Sequence, residues 1–286
     1  MFLNWGRLSL RPALPSDRNA VVSLTRHERR VHTHLDWRPV EDWLGVQPFL
    51  LAERGKRPVG ALACPPAPPD TAWLRLFAVA DGLSEATIWN LLWPEARGQL
   101  QALGVKIAAV LCLEDWIEPL CQATGFEQTH AVVVLSWAGG PVPPLWQNRP
   151  AAVRQARSED TEAIIAADAE AFVSPWQLSP EMIRLAMAQA DFLTVAEVEG
   201  RVAAYQLTTP SPNGAHLARL AVRPEWQGRG LGTALTAHML HHYHGRGARE
   251  ITVNTQDSNA ASLALYRRLG FELTGTRFPV FQLSLG

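Results

Sequence analysis

The sequence predicts two α/β (α+β) folds in tandem, each a mixed, mostly antiparallel sheet flanked by helices. Three observations lead to this prediction: the chain length, an internal repeat, and the order of strand and helix patterns in the second half. The 286 residues correspond to about two domains at roughly 150 residues per domain. A content of 47% hydrophobic and 19% charged residues is typical of globular proteins.

The internal repeat has a period of half the chain. Three pairs of matching segments lie 143 or 145 residues apart: Leu10-Arg11 with Asp17 against Val153-Arg154 with Asp160, Phe77-Ala78-Val79 against Leu220-Ala221-Val222, and Gly125-Phe126 against Gly270-Phe271. Self-similarity at a fixed offset is the signature of a duplicated structural unit. We therefore interpret the chain as one fold that occurs twice.

A segment rich in glycine and proline separates the two halves. It runs from Ala138-Gly139-Gly140-Pro141 through Pro143 and Pro144 to Pro150. Such a composition favours a linker over a strand or a helix. We expect a first domain over residues 1–139, a linker over residues 140–150 and a second domain over residues 151–286.

The elements of the second half follow from hydrophobic periodicity and from capping and turn residues. The expected strands are 153–156, 192–198, 201–208, 216–222 and 250–254, with two more strands after residue 269, and the expected helices are 159–171, 232–243 and 259–269. Glu199-Gly200 is a turn between two of the strands. A further helix fits between the first helix and the second strand, and the order indicates a mixed sheet with helices on its faces.

Composition excludes several classes of function. The 26 Lys and Arg residues nearly balance the 27 Asp and Glu residues, so no overall field attracts nucleic acid. No apolar stretch reaches the ~18 residues that a membrane helix needs, and the start of the sequence lacks the pattern of a secretion signal. Cys64, Cys112 and Cys121 form no pair with metal or disulfide spacing. We expect a cytoplasmic protein without a metal site, either a monomer or a homodimer.

The most informative segment runs from Val222 to Thr233, from a strand end through a glycine-rich turn into a helix. Glycines permit close approach of a ligand, and the free N–H groups of a first helical turn favour an anion such as a phosphate group. A Rossmann fingerprint would need glycine in place of Thr233, and the Walker motif is absent. A tight turn that merely needs glycine is the alternative interpretation.

Two motifs in the second half resemble the GCN5-related N-acetyltransferase (GNAT) superfamily. Gln227, Gly230 and Gly232 match its pyrophosphate loop, Gln/Arg-x-x-Gly-x-Gly/Ala. The segment from Asn259 to Phe271 matches Asn-x-x-Ala/Ser-x-x-Leu-Tyr-x-x-x-Gly-Phe, with Tyr266 at the tyrosine. The resemblance covers residues 151–286 and extends weakly, through the repeat, over residues 1–139.

The resemblance implies an acyl donor, acetyl-CoA, and residues that bind it. The pyrophosphate would lie on the amides of Gln227, Gly228, Arg229, Gly230, Leu231, Gly232 and Thr233, and the pantetheine arm beside Leu220, Ala221 and Val222. Asn259 would hold the arm from the other side. Trp176, which follows Pro175, lies where family members bind the acceptor.

Acyl transfer requires an oxyanion donor, a general acid and a base. By resemblance, a main-chain N–H near Val222 is the donor and Tyr266 is the acid, although Tyr266 could instead be a core aromatic residue. Asn254 replaces a glutamate that some members use as the base. Other members place a glutamate where His216 stands, so His216 is the candidate base; a solvated turn residue is the alternative.

The resemblance thus predicts an acyl-CoA-dependent N-acyltransferase that moves an acetyl group to a primary amine of a small molecule or a peptide N-terminus. The expected mechanism is direct attack in a ternary complex. A regulatory module that binds acyl-CoA without turnover is the alternative. The first half has Ser84–Trp89 at the loop position and Glu114 and Cys121 in place of Asn259 and Tyr266, so we expect it to be non-catalytic.

Overall fold

A computed structural model describes residues 7–67, 70–144 and 151–286. The chain forms two compact units, one of Met1–Thr129 with Phe278–Gly286 and one of His130–Arg277. These limits differ from the predicted domains because residues 130–139 belong to the second unit and residues 278–286 to the first. The boundaries at 139 and 151 stay a prediction of how the sequence is duplicated, and residues 145–150 of the linker lie outside the described residues.

The first unit is built from the following elements: β1 (Leu8–Pro12), α1 (Arg18–His27), β2 (Arg30–Thr33), β3 (Phe49–Arg54), β4 (Arg57–Ala63), β5 (Pro66–Ala67), β6 (Thr71–Trp73), β7 (Leu76–Val79), α2 (Glu85–Ala102), β8 (Ile107–Leu111), α3 (Glu118–Ala123) and the start of β9 (Glu127–Trp137). Five strands form a sheet in the order β1-β3-β4-β7-β2. β6 pairs in parallel with β8, and β8 pairs antiparallel with residues 280–284.

The second unit has a related order, with a helix, α5, in place of β2 and one strand, β13, in place of β6 and β7: β10 (Ala151–Gln155), α4 (Thr161–Ala171), α5 (Pro180–Gln189), β11 (Phe192–Val198), β12 (Arg201–Ser211), β13 (Gly214–Val222), α6 (Leu231–His244), β14 (Glu250–Gln256), α7 (Ala260–Arg268) and the first part of β15 (Glu272–Ser284). Its strands lie in the order β10-β11-β12-β13-β14-β9-β15. The pairing of β13 with β14 is parallel, whereas β10 to β13 pair antiparallel. The predicted tandem of mixed, mostly antiparallel sheets is confirmed.

Most elements predicted in the second half are present, with one correction. The two strands expected after residue 269 are a single strand, β15, which continues through Gly275 and Pro279. Glycine and proline usually interrupt a strand, but here the strand continues past Gly275, which has a φ of +87°, and pairs with β8 from Val280 onward. The optional helix is α5, whose N-terminus is capped by the Ser179 hydroxyl accepting from the Met182 amide.

The core of the second unit lies between the sheet and α6. Met239, Leu240 and Tyr243 of this helix pack with Phe271 and with Trp137 of β9. Trp137 is fully buried and pairs with Ile251 across the ladder between β9 and β14. Burial of a side chain of this size contributes strongly to stability. None of the described helices is long and apolar enough to cross a membrane.

An ion cluster recurs at equivalent positions of the two units. In the first unit Arg11 binds Asp17 at 2.7 Å and Glu53 at 2.9 Å. In the second, Arg154 binds Asp160 at 2.7 Å and also contacts Glu197. Each aspartate additionally accepts a main-chain N–H, from Leu14 or from Arg157, at 2.7 Å. The cluster therefore joins the first strand of each repeat to the start of its first helix.

Candidate active site

Strands β13 and β14 separate part of the way along their length. Their parallel pairing runs from Gly214 with Glu250 to Leu217 with Val253. On its other side β13 stays paired with β12 as far as Val222, with a register shift between Leu207 and Thr208. The shift leaves Ala218 as an extra residue, and such a bulge bends a strand. Beyond Ala218, β13 therefore has no β14 partner, and its unpaired edge faces the gap between the two strands.

A cleft of about 190 Å³ occupies this gap. Its walls come from four places: residues 217–220 of β13, residues 253–256 of β14 with Val132 beside them, Phe172 and Trp176 after α4, and Asn259, Ser262 and Tyr266 of α7 and its cap. The structure thus brings together Leu220, Asn259, Tyr266 and Trp176, which the sequence analysis had singled out. Asn254 also lines the cleft.

The glycine-rich loop begins just after β13. Gly228 and Gly230 adopt left-handed conformations, with φ of 73° and 79°, and Gly230 is the N-cap of α6. Residues other than glycine rarely adopt this backbone conformation. A Cβ placed on Gly228 would meet no atom within 4 Å, so its outer side is open. The Gln227 side chain folds back and donates to the Val222 carbonyl at 3.1 Å.

The remaining residues of the loop have packing roles that the motif did not reveal. A Cβ on Gly232 would approach the Leu265 side chain to 2.9 Å, so this glycine allows α6 and α7 to pack closely. Leu231 is buried, and the Thr233 hydroxyl accepts from the Arg268 guanidinium at 3.3 Å. The Arg229 guanidinium lies 4.5 Å from the centre of the Trp226 ring.

Tyr266 lies on the α7 wall of the cleft. Its side chain is almost entirely buried, with 4% exposure, and its ring packs on Phe271 with centroids 5.6 Å apart. Burial raises the pKa of Tyr266 above its usual value near 10 because the phenolate is poorly solvated there. The hydroxyl therefore stays protonated at neutral pH and is a hydrogen-bond donor. Both interpretations from the sequence, core aromatic and cleft residue, describe the same side chain.

Asn259 has a structural task in addition to its place in the cleft. It is the N-cap of α7, where its Oδ1 atom accepts from the Ser262 amide at 3.0 Å. Its Nδ2 atom donates toward Gln256 Oε1 at 3.5 Å. The side-chain oxygen is thus engaged with the helix, and the amide nitrogen is the group that remains on the cleft side.

Of the two predicted catalytic residues, Tyr266 lines the cleft and His216 does not. Among the predicted donor-binding residues, Ala221, Val222 and residues 227–233 also lie outside the cleft lining. His216 pairs with Thr252 in the parallel part of the ladder, before the strands separate. Its Nδ1 atom lies 2.8 Å from the Thr252 hydroxyl. Burial lowers the pKa of His216, so its imidazole is neutral at physiological pH. The assignment of His216 as the base stays a prediction.

A buried ion pair borders the cleft beside Trp176 and was not anticipated from the sequence. Arg219 binds the fully buried Asp168 through two bonds of 2.8 and 2.9 Å. Asp168 also accepts from the Tyr205 hydroxyl at 2.6 Å, and Arg219 donates to the Trp176 carbonyl at 3.0 Å. This cluster fastens the segment after α4 to the bulged strand. A charged residue on the buried face of α4 was the signal that could have revealed it.

Comparisons with known proteins agree with this geometry. Residues 160–271 match the model of the Acetyltransferase (GNAT) family. A mycothiol acetyltransferase from Saccharomonospora viridis is 33% identical over 135 residues, which are 41% of this chain and 44% of that protein. The ribosomal protein bS18-alanine N-acetyltransferase of Escherichia coli is 39% identical over 72 residues, 25% of this chain and 49% of that protein. The matched segments thus span less than half of either relative.

Solved structures show the tandem fold over nearly the whole chain. A tandem GNAT protein from the clavulanic acid biosynthesis pathway has a TM-score of 0.66 at 17% identity and covers 98% of this chain and 99% of its own. A GCN5-related N-acetyltransferase from Sphaerobacter thermophilus has a TM-score of 0.62 at 17% identity, with 97% and 96% covered. Residues 160–271 belong to the GNAT family, and the chain as a whole has two GNAT folds in tandem. The curated relatives of its second repeat are acetyltransferases by name.

Proposed function

We propose that the second unit is an acyl-CoA-dependent N-acetyltransferase that transfers an acetyl group from acetyl-CoA to a primary amine. One observation carries this proposal: the edge of β13 that lacks a β14 partner and Tyr266 of α7 line a single cleft, and the glycine-rich loop follows directly after that edge of β13. The amine attacks directly while both substrates are bound, because one cleft borders the elements for donor and acceptor. The acceptor is a small molecule or a peptide N-terminus.

The main chain of β13 supports the proposed place of the pantetheine arm. The Arg223 amide donates to Ala203 of β12 at 2.9 Å. Because N–H and C=O groups alternate in direction along a strand, Val222 and Leu220 direct theirs away from β12 and toward the gap. An extended arm can pair with these groups as a short extra strand. The Val222 N–H is also the proposed donor to the developing oxyanion.

The glycine-rich loop fits a pyrophosphate group. Gly228 and Gly230 turn the backbone in left-handed conformations at the start of α6, and no acidic residue lies between Gln227 and Thr233. The first amides of a helix and its dipole favour an anion. We assign the amides of Gln227 to Thr233 to the pyrophosphate and the amide nitrogen of Asn259 to the opposite side of the arm.

Bound acetyl-CoA supplies an acetyl group activated as a thioester. Tyr266 holds a proton on its hydroxyl at neutral pH and can deliver it to the departing sulfur. Val222 and the loop orient the donor, while Trp176 and Phe172 border the space on the acceptor side.

A binding module without turnover is the second candidate, and one observation favours it. Asn254 stands on the cleft wall where some relatives place a glutamate, and an amide does not accept a proton at neutral pH. Such a module would bind acetyl-CoA as tightly as an enzyme would. The two candidates therefore differ in turnover and not in affinity.

The test combines binding and turnover on the purified full chain. Isothermal titration with acetyl-CoA measures affinity, and a thiol-reactive dye measures release of CoA with and without added amines. Thiol release that depends on both acetyl-CoA and an amine supports the enzyme. Binding without amine-dependent release across peptide and small-molecule amines supports the module, and failure to bind contradicts both.

A further inference from the structure

The described walls of the cleft carry few ionisable groups. Among the described residues that line it, Arg219 is charged and Tyr266 is held in its protonated form, and the others are neutral. The polar positions on β14 are the amides Asn254 and Gln256 with the hydroxyl of Thr255. None of these side chains can take a proton from an ammonium group at neutral pH.

The carboxylates nearest to the cleft are occupied. Asp168 is fully buried beneath Arg219 and binds both this guanidinium and the Tyr205 hydroxyl. Asp257 follows the end of β14, where it accepts from Arg277 at 2.6 Å and from the Ala131 amide at 3.1 Å. Its pKa is lowered by the Ala131 hydrogen bond and by Arg277, which makes it a weaker base than an ordinary aspartate.

Two histidines lie near the cleft but outside its walls. The His130 ring packs 5.6 Å from the Trp176 ring, and burial lowers the pKa of His130. His216 contacts Thr252 in the closed part of the ladder. An ammonium group that entered the cleft would meet no free carboxylate on the described walls, since the one charged residue there, Arg219, is already paired with Asp168. The described walls of the cleft therefore offer a protonated acceptor neither a counter-charge nor a base, which disfavours its binding in that form.

We propose that the acceptor is a weakly basic primary amine, the α-amino group of a peptide or of an amino-acid derivative, which enters the cleft already unprotonated. This inference rests on the proposed function and specifies its substrate. In the transfer, the amine nitrogen forms a bond to the acetyl carbon and the bond from that carbon to sulfur breaks. The nitrogen loses one proton and the sulfur gains one, so that no external base is consumed.

The unprotonated fraction at neutral pH differs greatly between α-amines and alkylamines. An α-amino group has an ordinary pKa of about 7.8 and a lysine side chain one of about 10.4. At pH 7.4 about a quarter of the α-amine but only about one part in a thousand of the alkylamine is unprotonated. The greater nucleophilicity of a free alkylamine offsets part of this difference. We expect the alkylamine to react at least about tenfold more slowly in kcat/KM.

Three acceptors test the inference with the wild-type chain and saturating acetyl-CoA. They are a peptide with a free N-terminus and no lysine, an amino-acid amide, and the same peptide with a blocked N-terminus and one lysine. The first two compare peptide with small-molecule sources of the α-amine. We expect kcat/KM for an α-amine to level off near pH 8, and that for lysine to keep rising toward pH 10.

Equal kcat/KM for the lysine peptide and an α-amine at pH 7.4 would overturn the inference. So would a lysine profile that levels off below about pH 8, since this would reveal a base on the protein such as His130 or His216. Thiol release with none of the three acceptors would also reject it. A separate titration with acetyl-CoA then shows whether the proposed function fails as well.

A substitution on the cleft wall tests whether the lack of a carboxylate there causes the preference for an α-amine. Asn254→Glu introduces a carboxylate that can take the proton of an alkylammonium, so we expect the ratio of lysine to α-amine kcat/KM to rise at least about tenfold. Asn254→Gln is the matched control with the same length and no charge, and should keep the wild-type ratio. An unchanged ratio in a folded Asn254→Glu protein would reject the inference. If this variant does not fold, the wild-type pH profiles still decide.

Discussion

The two units differ in what lies along one edge of the strand that precedes the glycine-rich loop or its counterpart, which is β13 in the second unit and β7 in the first. In the second unit, residues 218–222 of β13 have no β14 partner, and residues 218–220 line an open cleft. In the first unit the equivalent strand, β7, is paired on this edge by β2, from Arg30 with Val79 to Thr33 with Leu76. The parallel pairing of β6 with β8 ends at Trp73 and Ala109, as the pairing of β13 with β14 ends at Leu217 and Val253. The strands therefore separate at equivalent places in the two units. A segment of the first unit therefore fills the gap that is open in the second.

The first turns of the helices that follow these strands, α2 and α6, also differ. α2 begins at the Ser84 cap, and its first turn carries Glu85, which accepts from Arg30 of β2 at 2.6 Å. α6 begins at Gly230, with no acidic residue in its first turn. An acidic side chain and a strand of the protein thus occupy, in the first unit, the two places that we assign to pyrophosphate and pantetheine in the second. The comparison teaches that a GNAT fold can retain its framework while its own chain fills the donor groove.

Tyr266→Phe in the second unit should have the largest effect on activity compared with the matching substitution in the first unit. The variant keeps the buried ring but loses the hydroxyl proton, so we expect kcat to fall about 100-fold with little change in acetyl-CoA affinity. Cys121→Ser, at the equivalent buried position of the first unit, is the matched control and should keep the wild-type rate. Thiol release and calorimetry measure the two quantities. Full activity of Tyr266→Phe would remove the general acid from the proposal.

Gly230→Asp should weaken acetyl-CoA binding by at least about tenfold. A carboxylate at the start of α6 would lie among the amides that we assign to the pyrophosphate. Gly82→Asp in the first unit places the same residue at a similar φ, 82° against 79°, and controls for backbone strain. Titration of the wild type should give one site per chain. A stoichiometry of two, or equal affinity of both variants and the wild type, would contradict this assignment.

The repeated ion cluster gives a comparison of stability. We expect Arg154→Ala to lower the free energy of unfolding by about 1 to 2 kcal/mol at pH 7, because it leaves Asp160 without its guanidinium partner. The Arg154 hydrogen bond holds the pKa of Asp160 below its usual value, so this stabilisation is present above that value and is lost as pH falls through the lowered pKa.

The difference in unfolding free energy between Arg154→Ala and the wild type should therefore shrink below about pH 4. Denaturant unfolding at a series of pH values measures it. Arg11→Ala is the counterpart in the first unit and should behave in the same way, since Arg11 lowers the pKa of Asp17. A difference that stays constant down to pH 2 would show that the cluster acts through packing.

His216→Ala is expected to have the smallest effect. Because His216 lies in the closed part of the ladder and contacts Thr252, we expect less than a threefold loss of kcat/KM and a pH profile that still follows the acceptor. Two acceptors whose amines differ in pKa make the comparison. Loss of the rising limb in His216→Ala would instead establish this histidine as the base that the sequence suggested.

Short-range sequence patterns predicted much of the fold. The six-residue spacing from Arg154 to Asp160 and its copy from Arg11 to Asp17 indicated the repeat, because each pair lies within one strand and the adjoining turn. The strand 192–198 was predicted with its observed limits. The glycine-rich loop and the Asn259 motif are also local patterns, which is why residues for the proposed donor site could be named from the sequence; their role stays a prediction.

Features that depend on distant contacts were not accessible. Arg219 and Asp168 are 51 positions apart, and no local pattern joins them. The direction of His216 depends on where β13 leaves β14, which the bulge at Ala218 sets through pairing with β12. The filling of the first cleft by β2 also requires tertiary pairing, since its four residues carry no distinctive pattern.

The exchange of strands between the units has a consequence for synthesis on the ribosome. β8 is made early, yet it pairs with Val280–Ser284, which the ribosome adds roughly 170 residues later. Until Phe281 and Leu283 emerge, that edge of the first unit lacks a partner and its apolar surface stays exposed. The second unit has the opposite order, because β9 is complete before β14 is translated. The first repeat to be translated is thus the last to be finished, and a translation stall before residue 278 would leave it as a target for chaperones.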